Sequence, residues 1–383
     1  MYLIRLLLFI TYMSAPLLVN ASPPPVKDLN SKVLVETLIN TPNTLISEHV
    51  QENSAFYGLA SYYNNINYFI VEKDGLRRLD ESEAFEINRA QWLAVVGRFN
   101  VLLIKANGLS MNLDKSKLII NNPQILIQSD TIVSVVTKAE LSSIAIELDQ
   151  IRYAHLWSPF SWMAKVVELS LVTINTDIVS NWGLAIVIFS VLLKLLLLPV
   201  GMMTVSFQRK VSQVQARLAP RLAEIKINYD GEEAHNHLMA AHKELRVTPF
   251  YTLKPMLGSF IQIPIMIAVF NALGEMPQLD GQLLLWIDNL AYPDVVGHLP
   301  FYIPMFGDTL SILPFVMTVV TLFSTVIFQN RHALKVEVIR QKRNLYLMAI
   351  AFFVLFYPFP AVMVLYWTLT NLLQTIQQQI IRI

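Results

Sequence analysis

The stretch Asn181–Pro199, NWGLAIVIFSVLLKLLLLP, decides the fold: it is apolar enough to enter a bilayer and carries one charge, Lys194. A spanning helix takes about 20 residues at about 1.5 Å each, so Lys194 falls near mid-membrane. An ammonium there costs roughly 3 kcal/mol or more unless it meets water, a polar cavity or an anion. The chain around it is therefore expected to build a hydrated surround for this lysine.

Working outward, the composition agrees. The 383 residues are 54% hydrophobic and 15% charged, outside the range of soluble globular domains, and point to a polytopic α-helical membrane protein. With 29 Lys+Arg against 28 Asp+Glu, no bulk charge favours nucleic acid, and no nucleic-acid specificity is expected. The absence of cysteine excludes disulfides, thiol catalysis and thiolate metal sites. Residues 1–21 place Arg5 before the apolar run Leu6–Val19 and end on Val19-Asn20-Ala21, the pattern of a signal peptide or an N-terminal anchor. Either outcome exports the segment after residue 21.

Residues 22–155 read as an exported β-rich domain resembling a small sandwich. Tyr68–Val71, Val101–Lys105, Lys117–Ile120, Gln124–Gln128, Thr131–Val136 and Ser143–Leu148 read as strands, between turns such as Asn107-Gly108 and Asn121-Asn122-Pro123. Residues 32–60 read as helical or irregular. Asp80, Glu81 and Glu83 read as a solvated loop face, because their spacing fixes no common geometry. In residues 156–176, Trp157, Phe160, Met163, Val167 and Leu171 share a helical face, with Lys165 and Glu168 off it, as in an amphipathic helix at the membrane interface.

The remainder, 177–383, carries apolar runs at 182–203, 255–272, 309–329, 344–358 and 361–379. The loops between the first two runs and between the third and fourth are rich in Lys and Arg. Between Asn271 and Leu313 there is none, while Glu275, Asp280, Asp288, Asp294 and Asp308 are acidic. The positive-inside rule puts the basic loops and the C-terminus in the cytoplasm and the acidic loop outside. Residues 205–250 read as a cytoplasmic helical hairpin. Val211, Val214, Leu218, Leu222 and Ile225 form one stripe, Asp230-Gly231 the turn, and Leu238, Ala241 and Leu245 the return. Its basic side chains, Arg209, Lys210, Arg217 and Arg221 foremost, are free for lipid headgroups, a ribosome or a nascent chain. His235, His237 and His242 lack a thiolate or carboxylate set, so no metal site and no cofactor is expected.

Polar residues within the spans mark a candidate groove: Lys194, Gln262 and Asn371 on three different runs, with Ser190 and Thr368 beside them. No paired intramembrane carboxylates, metalloprotease motif or nucleotide loop occurs, so no enzymatic activity is expected. On these grounds three functions stay open: an insertase, an anion or solute transporter with a cavity lysine, and a non-translocating assembly factor. The chain shows no inverted repeat, which weighs against the transporter.

A sequence resemblance narrows the choice. NWG opening a span, a basic residue five before a proline (Lys194, Pro199), a basic hairpin, IQIP at 261–264, LWIDNL at 285–290 and FPAVMVLYWTLTNLLQTIQQ at 359–378 occur in an order similar to that of the YidC membrane protein insertases. The resemblance covers about 155–383; AQWLAVV at 90–96 resembles the family's periplasmic domain more loosely. It implies a bacterial inner-membrane protein with a five-span core, a hydrated groove open to cytoplasm and lipid, newly made membrane proteins as substrates, and work alone or with the Sec translocon. It matches Lys194 to a groove arginine and Gln262 to the IQ-x-P glutamine. The chain differs in having lysine for that arginine, a longer stretch between Pro249 and Gln262, a short exported domain and no basic tail after Arg382-Ile383, so tail-mediated ribosome docking is not expected.

Overall fold

The computed structural model describes residues 31–51, 56–73, 75–80, 84–115, 117–244, 256–304, 306–327 and 335–381. The leader 1–21 and the Pro23-Pro24-Pro25 linker lie outside them. The chain forms two compact units, one from residues up to Trp182 with 268–284 and 288–292, the other from 183–267, 285–287 and 293–383.

The first unit is built on two antiparallel sheets. Strands β1 (Asn67–Glu72), β2 (Gly75–Arg78), β4 (Trp92–Val96), β5 (Asn100–Lys105) and β8 (Ile132–Thr137) pair in the order β2-β1-β4-β5-β8, and β3 (Ala84–Ile87), β6 (Leu109–Asp114) and β7 (Lys117–Ile120) in the order β3-β6-β7. One core lies between the sheets: Ile70, Leu93, Leu102 and Ile104 pack with Ile87, Met111 and Leu118, and helix α1 (Ser31–Asn40) adds Leu34 and Leu38. A second core covers the opposite face of the larger sheet, where Val71, Trp92, Ala94 and Leu103 meet Leu141, Leu148 and Ile151. The sandwich expected from the sequence is present, and its larger sheet is buried on both faces.

Two predicted strands are absent for that reason. Gln124–Gln128 is a 3-10 turn, Pro123–Ile127, and Ser143–Leu148 is split between a helical turn, Leu141–Ile144, and a 3-10 segment, Ile146–Ile151. Their alternating apolar residues cap the sheets instead of extending them. Four strands were not anticipated. Trp92–Val96 is buried at every position, so it shows none of the alternation that marks a half-exposed strand.

The amphipathic segment forms the helix Ser158–Ile174, running on to Val179, with Ser180 in the left-handed region at φ 49°. Its buried face is Ala164, Val167, Glu168, Leu171 and Ile174. This corrects the expected stripe. Trp157 and Trp162 are exposed, and Glu168, expected off the apolar face, is buried because the preceding turn supplies its partners. Arg152 Nη2 lies 2.5 Å from its Oε2, the Tyr153 hydroxyl donates to the same oxygen at 2.7 Å, and Gln278 Nε2 reaches Oε1 at 3.3 Å. In the same unit Arg98 stands among Phe56, Tyr63, Phe99 and Tyr292, with its Nε donating to the Gly274 carbonyl at 2.8 Å, and Lys138 pairs with Glu275 at 2.7 Å.

The second unit is mainly helical. Helix Trp182–Leu196 gives way at Leu197 to the long helix Leu198–Asn228. Leu197 N still donates to Leu193 O at 2.9 Å and Gly201 N to Leu197 O at 3.0 Å, so the ladder bridges the break. Helix Gly231–Glu244 returns after Asp230, with Gly231 at φ 59°, and Val211, Leu218, Ile225 and Ala241 form the seam of the predicted hairpin. The part of helix Met256–Glu275 up to Ile267 and helices Leu313–Ile327, Lys335–Phe356 and Ala361–Ile381 complete the unit. Among the described residues no single helix is long and apolar enough to cross a membrane; Ser158–Val179 with Trp182–Leu196 reaches that length only as a pair. The apolar runs are divided at Leu197, or begin in charged turns such as KVEVIRQKR, or end in polar ones such as TIQQQ.

An antiparallel hairpin that the sequence did not suggest, β9 (Val295–Ile303) with β10 (Gly307–Ser311), precedes helix Leu313–Ile327. Asp294, just ahead of it, accepts from Leu313 N at 2.6 Å, Ile312 N at 3.0 Å and Trp286 Nε1 at 3.3 Å, so its carboxylate caps the start of that helix. Burial pushes this carboxyl above its ordinary value, and the three donors oppose that shift.

Candidate functional site

A cavity of about 110 Å³ opens within the second unit, room for several waters. Its first wall is one continuous helical face: Ser190, Leu193, Lys194, Leu197, Gly201, Thr204, Val205 and Gln208 recur at three- and four-residue steps across the Leu197 break. Opposite stand Gln262, Ile265 and Met266, and then Tyr366, Thr370 and Gln374, each four residues from the last, with Trp367. Among the described residues Lys194 is the only charged one lining it.

The Lys194 ammonium donates to Gln374 Oε1. Three hydroxyls are committed to their own helices: Ser190 to Ile186 O at 2.7 Å, Thr204 to Val200 O at 2.9 Å and Thr370 to Tyr366 O at 2.8 Å. Gln262 lines the cavity and makes no hydrogen bond among the described residues. The arrangement sets a cation, the amides of Gln208, Gln262 and Gln374 and several hydroxyls among leucine, isoleucine and valine side chains. Chemically it can bind an acceptor group; no nucleophile and base stand together in it.

Of the residues singled out from the sequence, Lys194, Gln262 and Ser190 are brought together here. Asn371 and Thr368 are not among the lining residues. Asn371 Nδ2 donates to Thr321 Oγ1 at 3.4 Å, on the side of its helix that also carries Thr375, 2.6 Å from Ser324 Oγ, and Gln379, 3.2 Å from Ile327 O. Thr368 is buried, its hydroxyl donating to Val364 O at 2.7 Å. Gln374, which lines the cavity, was not among the residues singled out from the sequence; its four-residue step from Thr370 was the available signal. On the hairpin, Arg209, Lys210 and Arg217 are exposed, and Arg221, also exposed, is paired with Glu244. Among the described residues no group of three or more His, Asp or Glu stands close enough to hold a metal; His237 stacks on Tyr229 with ring centres 4.0 Å apart.

The second unit is thus a helical core with a cation-bearing cavity, in a chain that also carries a β-rich unit. The family described as 60Kd inner membrane protein matches residues 174–383, more than half of the chain, and the chain belongs to that family. Membership implies a helical membrane core at the bacterial inner membrane. Curated relatives carry the name Membrane protein insertase YidC. That of Syntrophobacter fumaroxidans is 30% identical over 244 residues, 62% of this chain and 41% of the relative. That of Chlorobaculum tepidum is 29% identical over 221 residues, 57% of this chain and 34% of the relative, and that of Methylobacillus flagellatus 29% over 249 residues, 63% and 39%. The chain thus spans well under half the length of the curated relatives it matches.

Proposed function

We propose that this chain is a membrane protein insertase and chaperone that passes the polar flank of a newly made membrane protein through the cavity around Lys194. The observation that carries the reading is the placement of one cation, with Gln262 and Gln374, in a cavity among otherwise apolar helices, within a chain whose relatives bear the insertase name. A positive, hydrated recess draws an acidic tail and shortens the apolar barrier it must cross. The substrate's own apolar segment then partitions into lipid, driven by roughly 25 cal/mol per Å². No nucleotide is required for this.

The arrangement that goes with it is a five-span core over 177–383 whose basic hairpin at 205–250 lies in the cytoplasm, near lipid headgroups, a ribosome or the nascent chain. The interfacial helix at 156–176 and the β-rich domain at 22–155 lie on the periplasmic side, the C-terminus inside, with the Sec translocon as an occasional partner. Lys194, Gln262 and Ser190 form the substrate groove, and Asn371 and Thr368 support its walls.

The test is complementation of an insertase-depleted strain. Wild type is expected to restore growth and Lys194→Ala to impair insertion of at least one substrate; full rescue by Lys194→Leu refutes the role of the charge. A cysteine introduced at 194 in this cysteine-free chain is expected to react with a membrane-impermeant thiol reagent. Protection from it would mean that the cavity is dry.

A further inference from the structure

Lysine has three N–H donors and no acceptor, so the amide of Gln374 must face it with Oε1, as it does. That contact uses the amide's only acceptor atom. What the pair presents around that contact is mainly donors, two ammonium N–H groups and the Gln374 Nε2–H₂, beside the one lone pair left on Oε1. The Ser190 and Thr370 hydroxyl protons are spent within their own helices. Among the described residues no carboxylate lines the cavity. A lysine stem of four methylenes, held by nothing, would swing its ammonium toward a wet boundary. Gln374 is its hydrogen-bond acceptor among the described residues.

We propose that Gln374 is a positioning residue that tethers the Lys194 ammonium inside the cavity, making a cluster of donors that selects acceptor-bearing polypeptide: carboxylate side chains first, then backbone carbonyls of an extended tail. This rests on the insertase reading and deepens it, by assigning preference for acidic over neutral tails to a pair of residues on facing helices. A carboxylate at 374 would neutralise the cation in place. An apolar residue of equal length would leave the cation but release it.

The experiment uses the full chain reconstituted in proteoliposomes with two single-span reporters that differ only in a short translocated tail, two Asp in one and two Asn in the other. Wild type is expected to insert the Asp tail better. Gln374→Glu should lower Asp-tail insertion about tenfold and Asn-tail insertion less than about twofold, and Gln374→Met should lower the Asp tail about threefold to fivefold, the scale of losing one charge-assisted hydrogen bond. The exchange Lys194→Gln with Gln374→Lys should restore most of the Asp-tail preference. A merely structural residue would depress both tails together, so an equal fall for both overturns the proposal, as does an unchanged preference in Gln374→Glu or failure of Gln374→Met to accumulate. If wild type inserts neither reporter, it is the insertase reading that falls.

Discussion

Glu168→Gln is the substitution whose cost the structure sets most directly. The carboxylate is 6% exposed at its side chain and faces Arg152, 18% exposed, at 2.5 Å, with the Tyr153 hydroxyl on the same oxygen at 2.7 Å. Removing one partner of a buried ion pair costs about 3–5 kcal/mol, because the other charge is left without compensation. Here the loss is smaller on two counts: Arg152 keeps Asp149 at 3.1 Å, and the glutamine oxygen still accepts from Tyr153. About 2–3 kcal/mol remains, which for a unit of this size lowers the melting temperature by about 5–10 °C. Thermal unfolding of the full-length protein in detergent, followed by tryptophan emission, reads the change; Trp92 is buried in the β-rich unit and reports on it. Replacing both partners by apolar residues, Glu168→Leu with Arg152→Met, should cost less than the sum of the single changes. A Glu168→Gln melting temperature within about 1 °C of wild type, or strict additivity in the double variant, would refute the claim that this pair fastens the helix to the turn before it.

Three further outcomes rest on particular contacts. A Cβ on Gly97 would lie 2.0 Å from the Val50 carbonyl oxygen, a backbone atom that cannot swing aside, so Gly97→Ala should destabilise the β-rich unit by about 3 kcal/mol or more and show as early protease cleavage. Asp294→Ala orphans two backbone N–H groups at the start of helix Leu313–Ile327 and should cost about 2 kcal/mol, with a change in Trp286 emission as its indole loses its acceptor. Burial pushes Tyr68 up to about 12 and Tyr63 and Tyr153 well above the ordinary 10.0. Folded pKa values raised in this sense give stability that is whole below pH 10 and lost as pH climbs toward the folded values, so an alkaline melt should steepen above pH 10 and flatten in Tyr68→Phe.

The candidate site was partly legible because charge in an apolar run is a rare event: Lys194 stood out from its neighbours alone, and Gln262 from its place beside Pro264. Which face each helix turns inward is a property of packing, and this separated Asn371, committed to Thr321, from Gln374, three residues on. The hairpin seam was readable because Val211, Leu218 and Ile225 recur at seven residues in a polar helix. The β-rich unit was harder. Where a sheet is covered on both sides, Trp92–Val96 and its neighbours lose alternation, while the covering segment Ser143–Leu148 keeps it, so the period-two signal marked the cover and missed part of the sheet. The β9–β10 hairpin, whose first strand contains Pro300, carries no strand pattern strong enough to be read without its partner.

The helix Ala361–Ile381 has two polar edges, one at Thr370 and Gln374 toward the cavity, the other at Asn371, Thr375 and Gln379, laced to Leu313–Ile327. One residue of helical rotation is about 100°, so any roll that offered new side chains to a guest would tear the lacing at the same moment. This side behaves as a fixed jamb. A guest bulkier than water has to find its room at the other walls of the cavity.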